Sequence, residues 1–180
     1  MTRPASHALA SLAVAALLAT ATAAQDAAPS EPRPEEGFFV TVDDQTGEAR
    51  GLVELRRADD GTLAGYLRGS FDPTHDFNGV CATCSGELEG RTMDGLAFVW
   101  GLEPDGEGRF RRGRIQDPET GSTYRSKATF ADDFSTLDLR GYVGSPILGR
   151  TQTWRRASAE EIAEIDRNNA AFGIAPLETP

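Results

Sequence analysis

The only cysteines in the chain form one short motif, Cys81-Ala-Thr-Cys84, with Asp72, His75 and Asp76 just upstream. Residues of these types at this spacing serve three chemistries. A dithiol redox centre is one, but it needs the first thiol at a helix N-terminus, where amides and the helix dipole favour the thiolate. Here Phe77-Asn-Gly-Val precedes the pair and Ser85-Gly-Glu-Leu-Glu-Gly follows it, so glycines at 79, 86 and 90 point to a loop. A zinc centre is the second, with two thiolates joined by His75 and a carboxylate. The third is a local Cys81–Cys84 disulfide, which this setting favours, stiffening the long excursion over residues 70–92.

Other catalytic patterns are weak. A Ser-His-Asp arrangement would have to use His75, and no G-x-S-x-G elbow presents a serine. The carboxylate pairs Asp43/Asp44, Asp59/Asp60 and Asp132/Asp133 fall at turn positions, where aspartate caps the backbone. No glycine loop is shaped for a phosphate. A better candidate set lies late in the chain: Arg114, Tyr124, Arg140, Tyr142, Arg150 and Trp154, with Asp117 nearby. Facing inward, these would line a polar cavity for a small ligand with an anionic head. Facing outward, they would be cross-strand pairs.

Their positioning depends on extended segments. From Gly37 the chain reads as short strands separated by Asp/Gly turns: Asp43–Gly47, Asp59-Asp-Gly61, Pro104-Asp-Gly106, Asp117–Gly121 and Asp132-Asp133. Leu96, Phe98, Trp100 and Leu102 alternate with smaller residues and predict a strand with Trp100 in the core. Leu137, Leu139, Gly141 and Val143 share one face of a later strand, opposite Asp138, Arg140 and Tyr142. About eight strands follow one another without room for crossover helices, which argues against a parallel sheet. A meander of that length hides its edges by closing on itself. The expected fold is all-β, a single small antiparallel up-and-down barrel over residues 37–156, with a two-sheet sandwich as the alternative. Interior glycines 51, 65, 113 and 141 would permit bends or close approaches. Ser158-Ala-Glu-Glu161 is a capping box and predicts a short C-terminal helix to about Ala170, on the barrel exterior or across one end, within a terminal segment 157–180.

Residues 1–24 read as a signal peptide: Arg3, an alanine-rich apolar run from Ala8 to Ala19, then Ala-Thr-Ala-Ala. A membrane span needs roughly 20 apolar residues, so a retained anchor is disfavoured. Residues 25–36 are rich in Pro, Ala and acid and read as a disordered lead-in. Export places the protein in the periplasm or outside the cell, where disulfides persist. The 180-residue chain carries 18 Lys and Arg against 28 Asp and Glu, a net charge of −10. Such a surface argues against nucleic acid and anionic membrane faces as partners.

Several blocks resemble the exported bacterial family known as domain of unknown function 2147. They are Gly37-Phe-Phe with its Asp43-Asp-x-x-Gly47 turn, Cys81-x-x-Cys84, Asp94-Gly-Leu, Gly113-Arg-Ile-x-Asp117-Pro-x-x-Gly121-x-x-Tyr124, Leu139-Arg-Gly-Tyr-Val-Gly144 and Gly149-Arg-Thr-Gln-Thr-Trp154. The resemblance implies a lipocalin-like barrel and supplies no catalytic set. Phe38 or Phe39 stands where the family usually has tryptophan, and a family cysteine near Ser126 is missing, which further favours pairing Cys81 with Cys84. The expectation is therefore a periplasmic, non-enzymatic protein binding a small, partly apolar ligand without a cofactor. An envelope-interaction module, with loop 70–92 and the acidic face as contact surface, is the alternative. A thiol-disulfide or zinc activity at Cys81, Cys84 and His75 is a third reading.

Overall fold

The computed structural model describes residues 33–178; the expected signal peptide and lead-in residues 25–32 lie outside the described residues. Eight antiparallel strands run in chain order around a closed barrel: β1 Gly37–Val42, β2 Ala49–Arg57, β3 Leu63–Ser70, β4 Ala97–Pro104, β5 Arg109–Gln116, β6 Thr123–Phe130, β7 Thr136–Tyr142 and β8 Gly149–Arg156. Closure is made by β1 on β8, with Phe39 opposite Arg156 and Val40 opposite Arg155.

The acidic turn residues explain why the chain reverses where it does. Asp43, Asp60, Asp117 and Asp133 each accept a hydrogen bond from the backbone N–H two residues on, at 2.8–3.0 Å. These bonds hold the chain in tight turns and replace the ladder bonds lost at the strand ends.

One end of the barrel is closed. Phe130 sits among Phe39, Phe110 and Phe134, with ring centroids 5.5–5.9 Å apart. Val53, Leu55, Leu63, Val99, Leu102 and Leu137 fill the space around them and are fully buried. The last residues of the expected lead-in meet the barrel at this end. Glu35 pairs with Arg57, the Arg57 N–H donates to Glu36 at 2.8 Å, and Arg156 donates to the Glu36 carbonyl at 3.0 Å.

Trp100 departs from its expected place. Register slips between β3 and β4 where Leu63 faces Leu102, Gly65 faces Val99 and Tyr66 faces Ala97, so β4 carries extra residues. These bulges break the two-residue alternation. Phe98, Val99 and Leu102 are buried, whereas Trp100 is half-buried and lies outside the core. Among the four glycines expected to permit bends, Gly51, Gly65, Gly113 and Gly141, Gly113 shows the closest approach. A Cβ there would lie 2.5 Å from Leu102 Cδ2 and 2.6 Å from Ser126 Oγ.

Helix α1, Ala159–Ala170, begins at the capping box: Ser158 Oγ accepts from the Glu161 N–H at 3.3 Å and Glu161 accepts from the Ser158 N–H at 2.9 Å. The helix lies on the barrel exterior. Ile165 packs with Phe38, Val40, Leu52 and, from the tail, Leu177. Burying one such side chain contributes about 1.5–3 kcal/mol. Gly69 makes the approach possible, since a Cβ there would collide with Ile165. Asn169 and Asn168 then donate to the Arg68 and Ser70 carbonyls at 2.8 and 3.1 Å.

Candidate ligand-binding mouth

The opposite end of the barrel stays open. It is framed by the β1–β2 and β5–β6 turns, the β3–β4 loop and the β7–β8 loop. Within it lie two adjoining lobes of about 780 and 800 Å³, a size that suits small organic ligands. Asp43, Arg50, Phe98, Asp117, Pro118, Glu119 and Gln152 border both.

Phe98 and Trp154 form the floor, stacked with centroids 6.0 Å apart. Burial of Trp154 requires a partner for its indole N–H. Gln152 supplies one, accepting at 2.7 Å while its own amide donates to the Val42 carbonyl at 3.2 Å. Ile115, Leu139 and Tyr124 wall the first lobe from β5, β7 and β6. Its lip is apolar: Val143, Ile147 and Leu148 of the β7–β8 loop are 63%, 87% and 74% exposed.

Arg50 borders both lobes. Thr41 faces Gly51 and Val42 faces Ala49, so Arg50 is an extra residue on β2 with no partner on β1. Such a bulge re-aims a side chain. The guanidinium donates to Asp43 at 3.1 Å and to Glu119 at 2.9 Å. Asp43 sits well below the usual carboxylate range, at about 2, because the Thr46 and Gln45 amides and Arg50 all donate to it. Arg150 pairs with Asp44 at the rim of the first lobe. Seven carboxylates border the two lobes (Asp43, Asp44, Glu48, Asp72, Asp76, Asp117 and Glu119) against the guanidiniums of Arg50 and Arg150.

The six residues singled out from the sequence separate into two groups. Tyr124, Tyr142 and Arg150 border the first lobe, and Trp154 the second. Arg114 is exposed and faces Trp100 across the β4–β5 ladder. A slip between Phe110 and Gly113, spanning Arg111 and Arg112, places Gly113 inward and turns Arg114 out. Arg140 lies opposite the inward Leu139 and braces the β7–β8 loop, donating to the Pro146 carbonyl at 2.7 Å and Thr151 at 2.8 Å. Neither arginine borders a lobe.

Arg50, Phe98, Ile115, Leu139 and Gln152 were not among the expected ligand residues. Phe98 and Leu139 read as ordinary core from their alternation. Arg50 left one signal, an arginine beside the strand glycine Gly51.

Cys81 and Cys84 are joined by a disulfide, with Cα atoms 5.4 Å apart. The strand-free loop around them is held by a Val80–Thr92 bridge and by Cys81 N–H donation to the Arg91 carbonyl at 2.8 Å. Thr83 donates to the Pro118 carbonyl, fastening this loop to the β5–β6 turn. After Cys84 comes a single 3-10 turn, Gly86–Leu88, rather than an α-helix. His75 packs beside Phe77, and no three metal-ligating side chains converge among the described residues.

A closed eight-stranded antiparallel barrel, filled at one end and open at the other with a C-terminal helix on its flank, is lipocalin-like in architecture. The chain belongs to the bacterial family described as "Uncharacterized protein conserved in bacteria (DUF2147)", which matches residues 37–156. Among solved structures it is similar to protein HP1028 from the human pathogen Helicobacter pylori, described as belonging to the lipocalin family. The two share 18% identity and a TM-score of 0.61 over 76% of this chain and 96% of that one. No curated protein matches the chain.

Proposed function

We propose that this is an exported binding protein that holds one small, partly apolar molecule in the open half of its barrel, without catalysis. One observation carries the reading: the lumen is packed solid only up to Phe98 and Trp154, and above them lies an aromatic and aliphatic pocket. A barrel built for stability alone would fill that space, since unfilled apolar volume forfeits packing contacts. The leader-like first 24 residues support export, and the Cys81–Cys84 bridge suits an oxidising compartment.

Native mass spectrometry of the protein recovered from the cell envelope, paired with calorimetric titration of decyl maltoside, tests this. A one-to-one adduct or saturable binding is expected. An adduct-free mass together with no heat of binding would overturn it.

A further inference from the structure

We infer that the mouth selects amphipathic cations: an apolar tail in the first lobe and a positively charged head among the carboxylates where the two lobes meet. The inference rests on the binding role proposed above and names the class of ligand. It replaces the expected anionic head, which relied on free arginines.

Neither bordering guanidinium is free. Arg50 is shared between Asp43 and Glu119, and Arg150 is taken by Asp44. An anionic head would have to displace a carboxylate from one of them. Two of the six expected residues, Arg114 and Arg140, point away from the lumen altogether. The rim is left with an excess of five negative charges, from seven carboxylates and two guanidiniums. Asp117, which borders both lobes, accepts from the Glu119 N–H and the Thr120 hydroxyl and from no cationic side chain among the described residues. A bound cation adds an attraction there without breaking an existing pair.

The apolar surface points independently to a tail. Ile115, Leu139 and Phe98 line the lobe's interior, and the lip residues Ile147 and Leu148 lie almost bare on its edge. Exposed aliphatic side chains continuous with an apolar pocket mark a surface suited to covering an apolar ligand. Tyr124 and Tyr142 add two aromatic rings to the border of the same lobe.

Three probes with one tail separate the head from the tail: decyltrimethylammonium, decanoate and decyl maltoside. Each is titrated calorimetrically into the full-chain protein below its micelle-forming concentration. Decyltrimethylammonium should bind at least about tenfold tighter than decanoate at low salt, an advantage that shrinks as salt screens the rim. The double variant Asp117→Asn with Glu119→Gln should lower that affinity ratio by about tenfold. Equal binding of all three probes, or tighter binding of decanoate, overturns the cation preference and leaves the binding role standing. Absence of binding by every probe overturns both.

Discussion

Arg50 and Glu119 meet at 2.9 Å across the open end of the barrel, one from the bulge of β2 and the other from the β5–β6 turn on the far side. Both side chains are largely exposed, so the pair adds little stability, of order 0–1 kcal/mol. Its effect is on shape, because it crosses the opening where the two lobes adjoin.

Arg50→Ala should therefore leave the unfolding midpoint in urea almost unchanged while merging the lobes. Probes with a bulkier tail, such as a branched alkyl maltoside, should gain affinity in the variant relative to wild type. Calorimetric titration checks this, and identical size preference in both proteins would refute the partition.

Gly141 borders the first lobe, and the nearest atoms to a Cβ there belong to Ile115 and Tyr124, at 3.6–4.0 Å. Gly141→Leu should accordingly fold and fill the cavity. Binding of decyl maltoside should fall by more than about tenfold while stability changes by under about 1 kcal/mol. Retained binding would place the ligand elsewhere.

Gly113 is the contrasting case. Its Cβ position is already occupied by Leu102 and Ser126, so Gly113→Ala should destabilise the barrel by about 1–3 kcal/mol. Chemical denaturation of the two glycine variants side by side reads the difference directly.

Replacing Cys81 and Cys84 together by serine opens a very short loop. The loss of chain constraint predicts a cost of about 2 kcal/mol at most. The change should be local, with faster amide exchange in residues 71–96 and at the Thr83–Pro118 contact and unaltered exchange in β5 to β8. Loss of protection throughout the barrel would show that the bridge supports the whole fold.

Acid should weaken the attachment of α1. Arg155, donating at 2.8 Å, and the Ser158 N–H hold the Glu161 carboxyl at about 2 against an ordinary 4.5. A carboxyl depressed on folding contributes stability that is complete above its ordinary value and is lost as pH falls through its folded value. The stability gap between wild type and Glu161→Gln should thus narrow between pH 4.5 and about 2. Denaturation midpoints across that window check the sign. A constant gap would mean that the carboxylate charge is not what holds the cap.

The fold was legible because its signals are local. Aspartate turns, alternation in β7 and the Ser158–Glu161 box each act over a few residues, and the observed elements follow them. The site was less legible, for two physical reasons. Bulges in β4 and β5 shift parity by one residue, which sent Trp100 and Arg114 outward, and a two-residue repeat cannot reveal an inserted residue. The depth to which the lumen is packed depends on side chains from distant strands, such as Phe98 on Trp154. Arg140 shows the reverse: its strand face already opposed the apolar one, and the structure keeps it outside.

The two tryptophans sit in opposite worlds. Trp154 is buried at the cavity floor, its indole bonded to a glutamine that borders both lobes, whereas Trp100 lies on the outer wall beside Arg114. The molecule thus carries its own optical sensor and its own reference. An occupant that disturbs Gln152 alters the emission of the inner indole and leaves the outer one untouched, so occupancy can be followed without any label.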